Sequence, residues 1–303
     1  MSDMRVNIAG VELKNPVITA SGTFGYAEEY NLHMDVSKLG AFTLKALTKE
    51  PRQGNPPIRV AETASGVLNA VGLQNPGVDE FLRTIYPRIK NYNTVKIANI
   101  AGSSADDYVY VAERLNDTNI DLYEVNVSCP NVKQGGMSFG TDACAITDIV
   151  GAVKRVAKKP LIVKLTPNVT NVAEMAKAAR GAGADAVSLI NCLMGMAIDA
   201  KTRRPILANV TGGLSGPAVK PVALRMVWDV YKAGLGIPII GLGGIMSGED
   251  AAEFMIAGAN AVMVGAATMR NPSASEIIAG ELEHFADKMG IERISELTGS
   301  LAV

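Results

Sequence analysis

The residues best equipped for chemistry lie in Asn126-Val127-Ser128-Cys129-Pro130-Asn131-Val132-Lys133-Gln134-Gly135-Gly136. The apolar run before them, Leu122-Tyr123-Glu124-Val125, reads as a strand, so an amide and a thiol arrive together at a strand end. Gly135, Gly136 and Gly140 leave the rest of the loop free to move as a lid. An isolated cysteine before a turn is usually a small core hydrophobe. The other strand ends of this chain argue for more than that.

Lys45 closes Phe42-Thr43-Leu44-Lys45, Asn99 closes Lys96-Ile97-Ala98-Asn99, and Lys164 closes Leu161-Ile162-Val163-Lys164. Asn126 and Asn191 end two more such runs. One lysine could be a snorkelling edge residue. A whole set in register is not, because a buried amine or amide without a partner costs about 1–3 kcal/mol. In a barrel all of them point into the C-terminal mouth, where such folds react. The last two strands end in Gly241-Leu242-Gly243-Gly244-Ile245 and Val264-Gly265-Ala266-Ala267. Bare backbone there lets amide N–H groups and helix N-termini approach a phosphate. Two lysines beside a phosphate-anchored planar heterocycle can stabilise the charge a flavin gains with hydride. A thiol facing that ring could serve as general base if its surroundings favour the thiolate over an unperturbed pKa of about 8.5.

The elements that must position these groups recur as strand, polar or glycine end, then amphipathic helix. Strand candidates are Pro16–Ala20, Ala41–Ala46, Val95–Asn99, Leu122–Asn126, Leu161–Leu165, Ala186–Asn191, Ile237–Gly241 and Asn260–Gly265. Ile146, Ile149, Val150, Val153 and Val156 share a helix face, and Ser104 and Ser247 open capping sequences. Gly258 stands where a helix should end. Eight such units predict an α/β fold, a closed (β/α)8 TIM barrel spanning residues 1–303 as one domain. An N-terminal hairpin over Arg5–Leu13 precedes it, and 48–93 and 193–217 are insertions at the C-terminal mouth. A doubly wound open sheet is the alternative, disfavoured by the repeat number and the lack of a dinucleotide fingerprint.

With 48% hydrophobic and 19% charged residues, the chain can bury a large core. A net charge of −1 without basic blocks excludes nucleic acid and anionic membranes as partners. No apolar run reaches the ~20 residues of a membrane span, and Met1–Gly10 lacks a signal core. Cys129, Cys144 and Cys192 are too far apart for a disulfide framework, a metal site or an iron–sulfur cluster. The expected setting is a reduced cytoplasm. Cys144 reads as packing, His33 and His284 as isolated, and Trp228 as surface or subunit contact.

From end to end the sequence resembles the dihydroorotate dehydrogenases, and specifically family 1, through the Asn-Val-Ser-Cys-Pro-Asn loop at 126–131. The membrane-associated family 2 has serine in place of that cysteine. Val132-Lys133-Gln134-Gly135-Gly136, Asn69-Ala70-Val71-Gly72-Leu73-Gln74-Asn75-Pro76-Gly77 and Gly212-Gly213-Leu214-Ser215-Gly216-Pro217-Ala218 look like the NAD-linked subclass, 1B. The resemblance implies FMN at the barrel mouth and oxidation of (S)-dihydroorotate to orotate in pyrimidine (UMP) biosynthesis. Cys129 would remove the C5 proton while hydride leaves C6 for the flavin, with Lys45 assisting. It implies substrate contacts from Lys45, Asn69, Ala70, Val71, Gly72, Leu73, Asn126, Asn191 and Cys192. It assigns FMN contacts to Ser21, Lys45, Ala46, Asn99, Asn126, Lys164, Ile190, Gly216, Gly243, Gly244, Gly265 and Ala266. Electrons would pass to a partner subunit carrying FAD and [2Fe–2S], then to NAD+, with a homodimer of this chain inside a heterotetramer.

Two positions depart from the subclass pattern: Cys192 and Ala266 stand where threonine is usual. A thiol is the poorer hydrogen-bond donor, whereas at Ala266 the backbone would do the binding. Competing readings are a fumarate-linked homodimeric family 1A enzyme, the flavin barrel of a dihydropyrimidine dehydrogenase, and a non-catalytic flavin- or phosphate-binding barrel.

Overall fold

A computed structural model of the chain describes residues 2–128 and 139–303. The chain enters through the antiparallel hairpin β1 (Val6–Ile8) and β2 (Val11–Leu13), then lays down β3 (Val17–Thr19) and β4 (Ala41–Thr43). The first insertion adds β5 (Val60–Thr63) and β6 (Gly66–Asn69), followed by α1 (Val78–Glu80), a π-helical turn and α2 (Tyr86–Ile89). Regular alternation resumes with β7 (Val95–Ile100), α3 (Ala105–Leu115), β8 (Leu122–Asn126), α4 (Ala143–Val156), β9 (Leu161–Lys164), α5 (Val172–Gly181) and β10 (Ala186–Leu189). The second insertion contains β11 (Leu193–Met196), β12 (Ile198–Asp199), β13 (Arg204–Pro205) and β14 (Thr211–Ser215). The chain finishes with α6 (Lys220–Lys232), β15 (Ile239–Leu242), α7 (Gly248–Ile256), β16 (Ala261–Val264), α8 (Ala266–Arg270) and α9 (Ala274–Lys288).

Eight parallel strands close in the order β10-β15-β16-β3-β4-β7-β8-β9, a (β/α)8 barrel as the repeat predicts. Most of these strands are buried on both faces, which explains their continuous apolar runs. Helix α4 turns Ile146, Ile149, Val150 and Val153 onto the barrel, its N-cap Asp142 accepting from the Cys144 N–H. Ser104 caps α3, and Ser247 with Asp250 forms a reciprocal box at α7. Gly258 takes φ +118° just beyond α7, a left-handed position that favours glycine.

Several boundaries differ from the expectation. β4 stops at Thr43, so Lys45 lies just past the strand, its N–H donating to the Gly25 carbonyl at 2.8 Å. β10 stops at Leu189, and β15 runs Ile239–Leu242 rather than from Ile237. Cys144 is exposed on the first turn of α4, against the packing role read from the sequence. The apolar stripe of that helix begins only at Ile146. His33 and His284 are exposed, while Trp228 stacks on Tyr231 along α6 at 5.8 Å between ring centroids.

The two insertions form one antiparallel sheet, β11-β14-β6-β5, at the barrel mouth. Gly213 stands opposite Asn69, and Leu214 opposite both Leu68 and Leu193. Among the described residues no helix is long and apolar enough to cross a membrane.

Candidate active site

At the C-terminal end of the barrel, under the insertion sheet, lies a cavity of about 680 Å³. Lys45, Asn126, Lys164 and Asn191 line it, each from the end of a different strand. Asn69, Ala70, Val71, Gly72 and Leu73 line it from the first insertion, and Cys192 from the start of the second. Ser21, Ala46 and Ile190 add wall, while Gly216, Gly243, Gly244, Gly265 and Ala266 border it with backbone. Asn99 does not line this cavity but is fully buried within the barrel, deeper than the strand ends suggested. Cys129, Gly135 and Gly136 lie outside the described residues, whereas Gly140, the third glycine of the expected lid, is buried in a 3-10 turn over Phe139–Thr141.

The local hydrogen bonds show how the amides are aimed. Asn126 Oδ1 accepts from Ser128 N–H at 3.2 Å and from Asn191 Nδ2 at 3.4 Å. Asn191 Oδ1 accepts from the Cys192 N–H at 2.9 Å. Asn69 donates through Nδ2 to the Gly213 carbonyl at 3.2 Å and to Cys192 Sγ at 3.7 Å. A Cβ on Gly213 would stand 2.5 Å from Cys192 Cβ, so only glycine allows the insertion sheet to lie this close.

Charge in the site is predominantly cationic. Lys45 is buried enough that its pKa falls, and the positive charge of Arg59 lowers it further. Burial pushes the Cys192 thiol up, opposed by Asn69, the Lys164 ammonium and Ser215, so it is neutral near pH 7. Such a pocket favours a flat, anionic guest with carbonyl and N–H edges.

A phosphate-bearing flavin fits the residues present. The Asn99 Oδ1 atom is buried without a partner, outside the cavity lining. At the other end, Gly244 has φ +80°, and a Cβ there would lie 2.8 Å from the Gly216 carbonyl oxygen and 3.0 Å from Lys220 N. This close backbone cradle is where the barrel architecture binds phosphate.

Sequence reading missed Glu124, Ser188, Thr166 and Asn168. Glu124 is completely buried beneath the cavity, bonded to Asn99 and Ser188. A carboxylate inside an apolar strand run was its signal. Asn168 donates to the Thr166 hydroxyl and the Cys192 carbonyl, both at 3.0 Å, and accepts from Met194 N–H, tying the second insertion to β9. Nothing local marks Asn168 or Ser188. Among the described residues no group of His, Cys, Asp and Glu could hold a metal ion.

The fold is a (β/α)8 barrel with a cavity at the strand C-termini, and its relatives define the class as oxidoreductases. The chain belongs to the dihydroorotate dehydrogenase family, whose model, "Dihydroorotate dehydrogenase", matches residues 3–286. It is 56% identical over 299 residues to the "Dihydroorotate dehydrogenase B (NAD(+)), catalytic subunit" of Alkaliphilus metalliredigens, covering 99% of each chain. Identity to the protein of the same description from Bacteroides thetaiotaomicron is 53% over 304 residues, covering 100% of each. In fold it is similar to the crystal structure of DHODH in complex with ferulenol from Eimeria tenella. That match has a TM-score of 0.81 and 24% identity, covering 98% of this chain and 88% of the other.

Proposed function

We propose that this chain is the FMN-bearing catalytic subunit of an NAD-linked dihydroorotate dehydrogenase, oxidising (S)-dihydroorotate to orotate in pyrimidine biosynthesis. The observation that carries this reading is the joining of lysines and asparagines from four strand ends with a glycine-bordered cradle in one cavity. Lys45, Asn69 to Leu73, Asn126, Asn191 and Cys192 hold the substrate. The ammonium of Lys45 meets its carboxylate, and the amides of Asn69, Asn126 and Asn191 read its carbonyl and N–H edges. Gly216, Gly243, Gly244, Gly265 and Ala266 hold the FMN phosphate through backbone. Ser21, Ala46, Lys164 and Ile190 frame the ring, with Lys45 and Asn126 shared between ring and substrate. Bound FMN supplies the hydride acceptor for C6. Cys129, three residues beyond Asn126, takes the C5 proton as thiolate.

Electrons leave through a partner subunit carrying FAD and [2Fe–2S] to NAD+. "Catalytic subunit" in the names of the relatives supports the existence of a partner subunit. A base thiol must stay reduced, which favours the cytoplasm. Residues 1–303 act as one FMN-binding domain and pair as a homodimer within a heterotetramer. Supporting the pairing, Ile58, Met194, Met196, Ile198, Ile206 and Val210 are exposed on the insertions. Backbone bonds from Ala208 to Ile58 and from Ile206 to Ala197 join these segments.

The test is anaerobic mixing of the isolated chain with dihydroorotate, then NAD+ assays with and without the partner subunit. Flavin bleaching by the chain alone, with NAD+ reduction only when the partner is added, is expected. Absence of bleaching overturns the catalytic reading, and efficient fumarate reduction by the chain alone transfers it to family 1A.

A further inference from the structure

Beneath the cavity lies a carboxylate that the proposed chemistry does not use. Glu124 is wholly inaccessible on β8, and each of its oxygens takes one neutral donor. Asn99 Nδ2 donates to Oε2 at 2.5 Å, and Ser188 Oγ donates to Oε1 at 2.8 Å. Lys164 Nζ stands 3.8 Å from Oε2, with its side chain 5% exposed. At that distance the ammonium is held by the field of the carboxylate rather than by a short hydrogen bond. Lys164 borders the cavity, whereas Glu124 does not.

We infer that Glu124 is a positioning residue that, through Lys164, sets the charge of the flavin site from below. A carboxylate can only accept, so it fixes the Asn99 amide with nitrogen inward and Oδ1 as a free, buried acceptor. The same carboxylate offsets part of the Lys164 charge and so opposes the addition of electrons to whatever ring lies above. This inference rests on the FMN reading of the cavity.

The experiment measures the midpoint potential and dissociation constant of FMN on the full chain for wild type, Glu124→Gln, Ser188→Ala, Lys164→Met and the double variant Glu124→Gln/Lys164→Met. Glutamine keeps the size, can accept from Asn99 and can donate to Ser188. The expected result for Glu124→Gln is about tenfold tighter binding of reduced over oxidised flavin, a rise of about 30 mV for a two-electron couple. Ser188→Ala keeps the carboxylate and should leave the potential near wild type. A purely structural role would shift melting temperature and FMN retention in both variants without moving the potential. If Glu124→Gln does not fold, the electrically neutral double variant is compared with Lys164→Met and should again lie higher. FMN bound at an unchanged potential when Glu124 is replaced overturns the inference alone. A wild-type chain that binds no FMN overturns the flavin reading instead.

Discussion

Replacing Cys192 by threonine should improve substrate binding without touching the chemistry. The thiol lines the cavity 3.7 Å from Asn69 Nδ2, and burial keeps it neutral. It is therefore a weak donor toward an anionic guest. A hydrogen bond to a charged group contributes about 1.5–3 kcal/mol, and a thiol supplies only part of that. A hydroxyl in its place should gain about 1 kcal/mol, a fall in KM of about fivefold at tenfold per 1.4 kcal/mol. The added methyl must turn away from Gly213, where even a Cβ would stand only 2.5 Å from Cys192 Cβ. Residual crowding sets the upper limit of the gain, since overpacking costs about 1–3 kcal/mol. The assay is steady-state KM and kcat, with the anaerobic reductive half-reaction to separate binding from hydride transfer. Unchanged kcat with a lower KM is expected. Abolished turnover, or a higher KM in a variant that melts like wild type, would refute the placement of Cys192 beside the substrate.

Because burial lowers the Lys45 pKa, its cation is lost below the ordinary lysine range as pH rises, and the KM for dihydroorotate should climb there. Lys45→Met should raise KM at every pH and remove that alkaline limb. The unfolded lysine keeps its proton longer than the folded one, so stability should rise with pH across the same window, as denaturant titrations can check. Gly244→Ala places a Cβ 2.8 Å from the Gly216 carbonyl oxygen at φ +80°. It should cost more than about 1 kcal/mol of stability and weaken FMN retention at least tenfold, read by melting temperature and flavin fluorescence. Met194→Glu combined with Ile198→Glu charges the exposed insertion face and should shift the chain to monomers in sedimentation velocity. Cys129→Ser should keep the yellow flavin while slowing its reduction by about 10²-fold or more.

Local sequence determined a good deal of this molecule. Strand runs such as Leu122–Asn126 and Leu161–Lys164 are legible because burial on both faces demands uninterrupted apolar residues, within a residue or two at each end. Lys45, Asn126, Lys164 and Asn191 stand out because parallel strands in register deliver their ends to one mouth. What lies across the barrel is a different matter. Ser188 reaches Glu124 over a separation of 64 residues, and Asn69 finds Gly213 over 144, through the pairing of two insertions. No periodicity encodes such partners. Only closure of the barrel and docking of the insertion sheet bring them within hydrogen-bond range, because those contacts depend on the packing of the whole chain rather than on its neighbours in sequence.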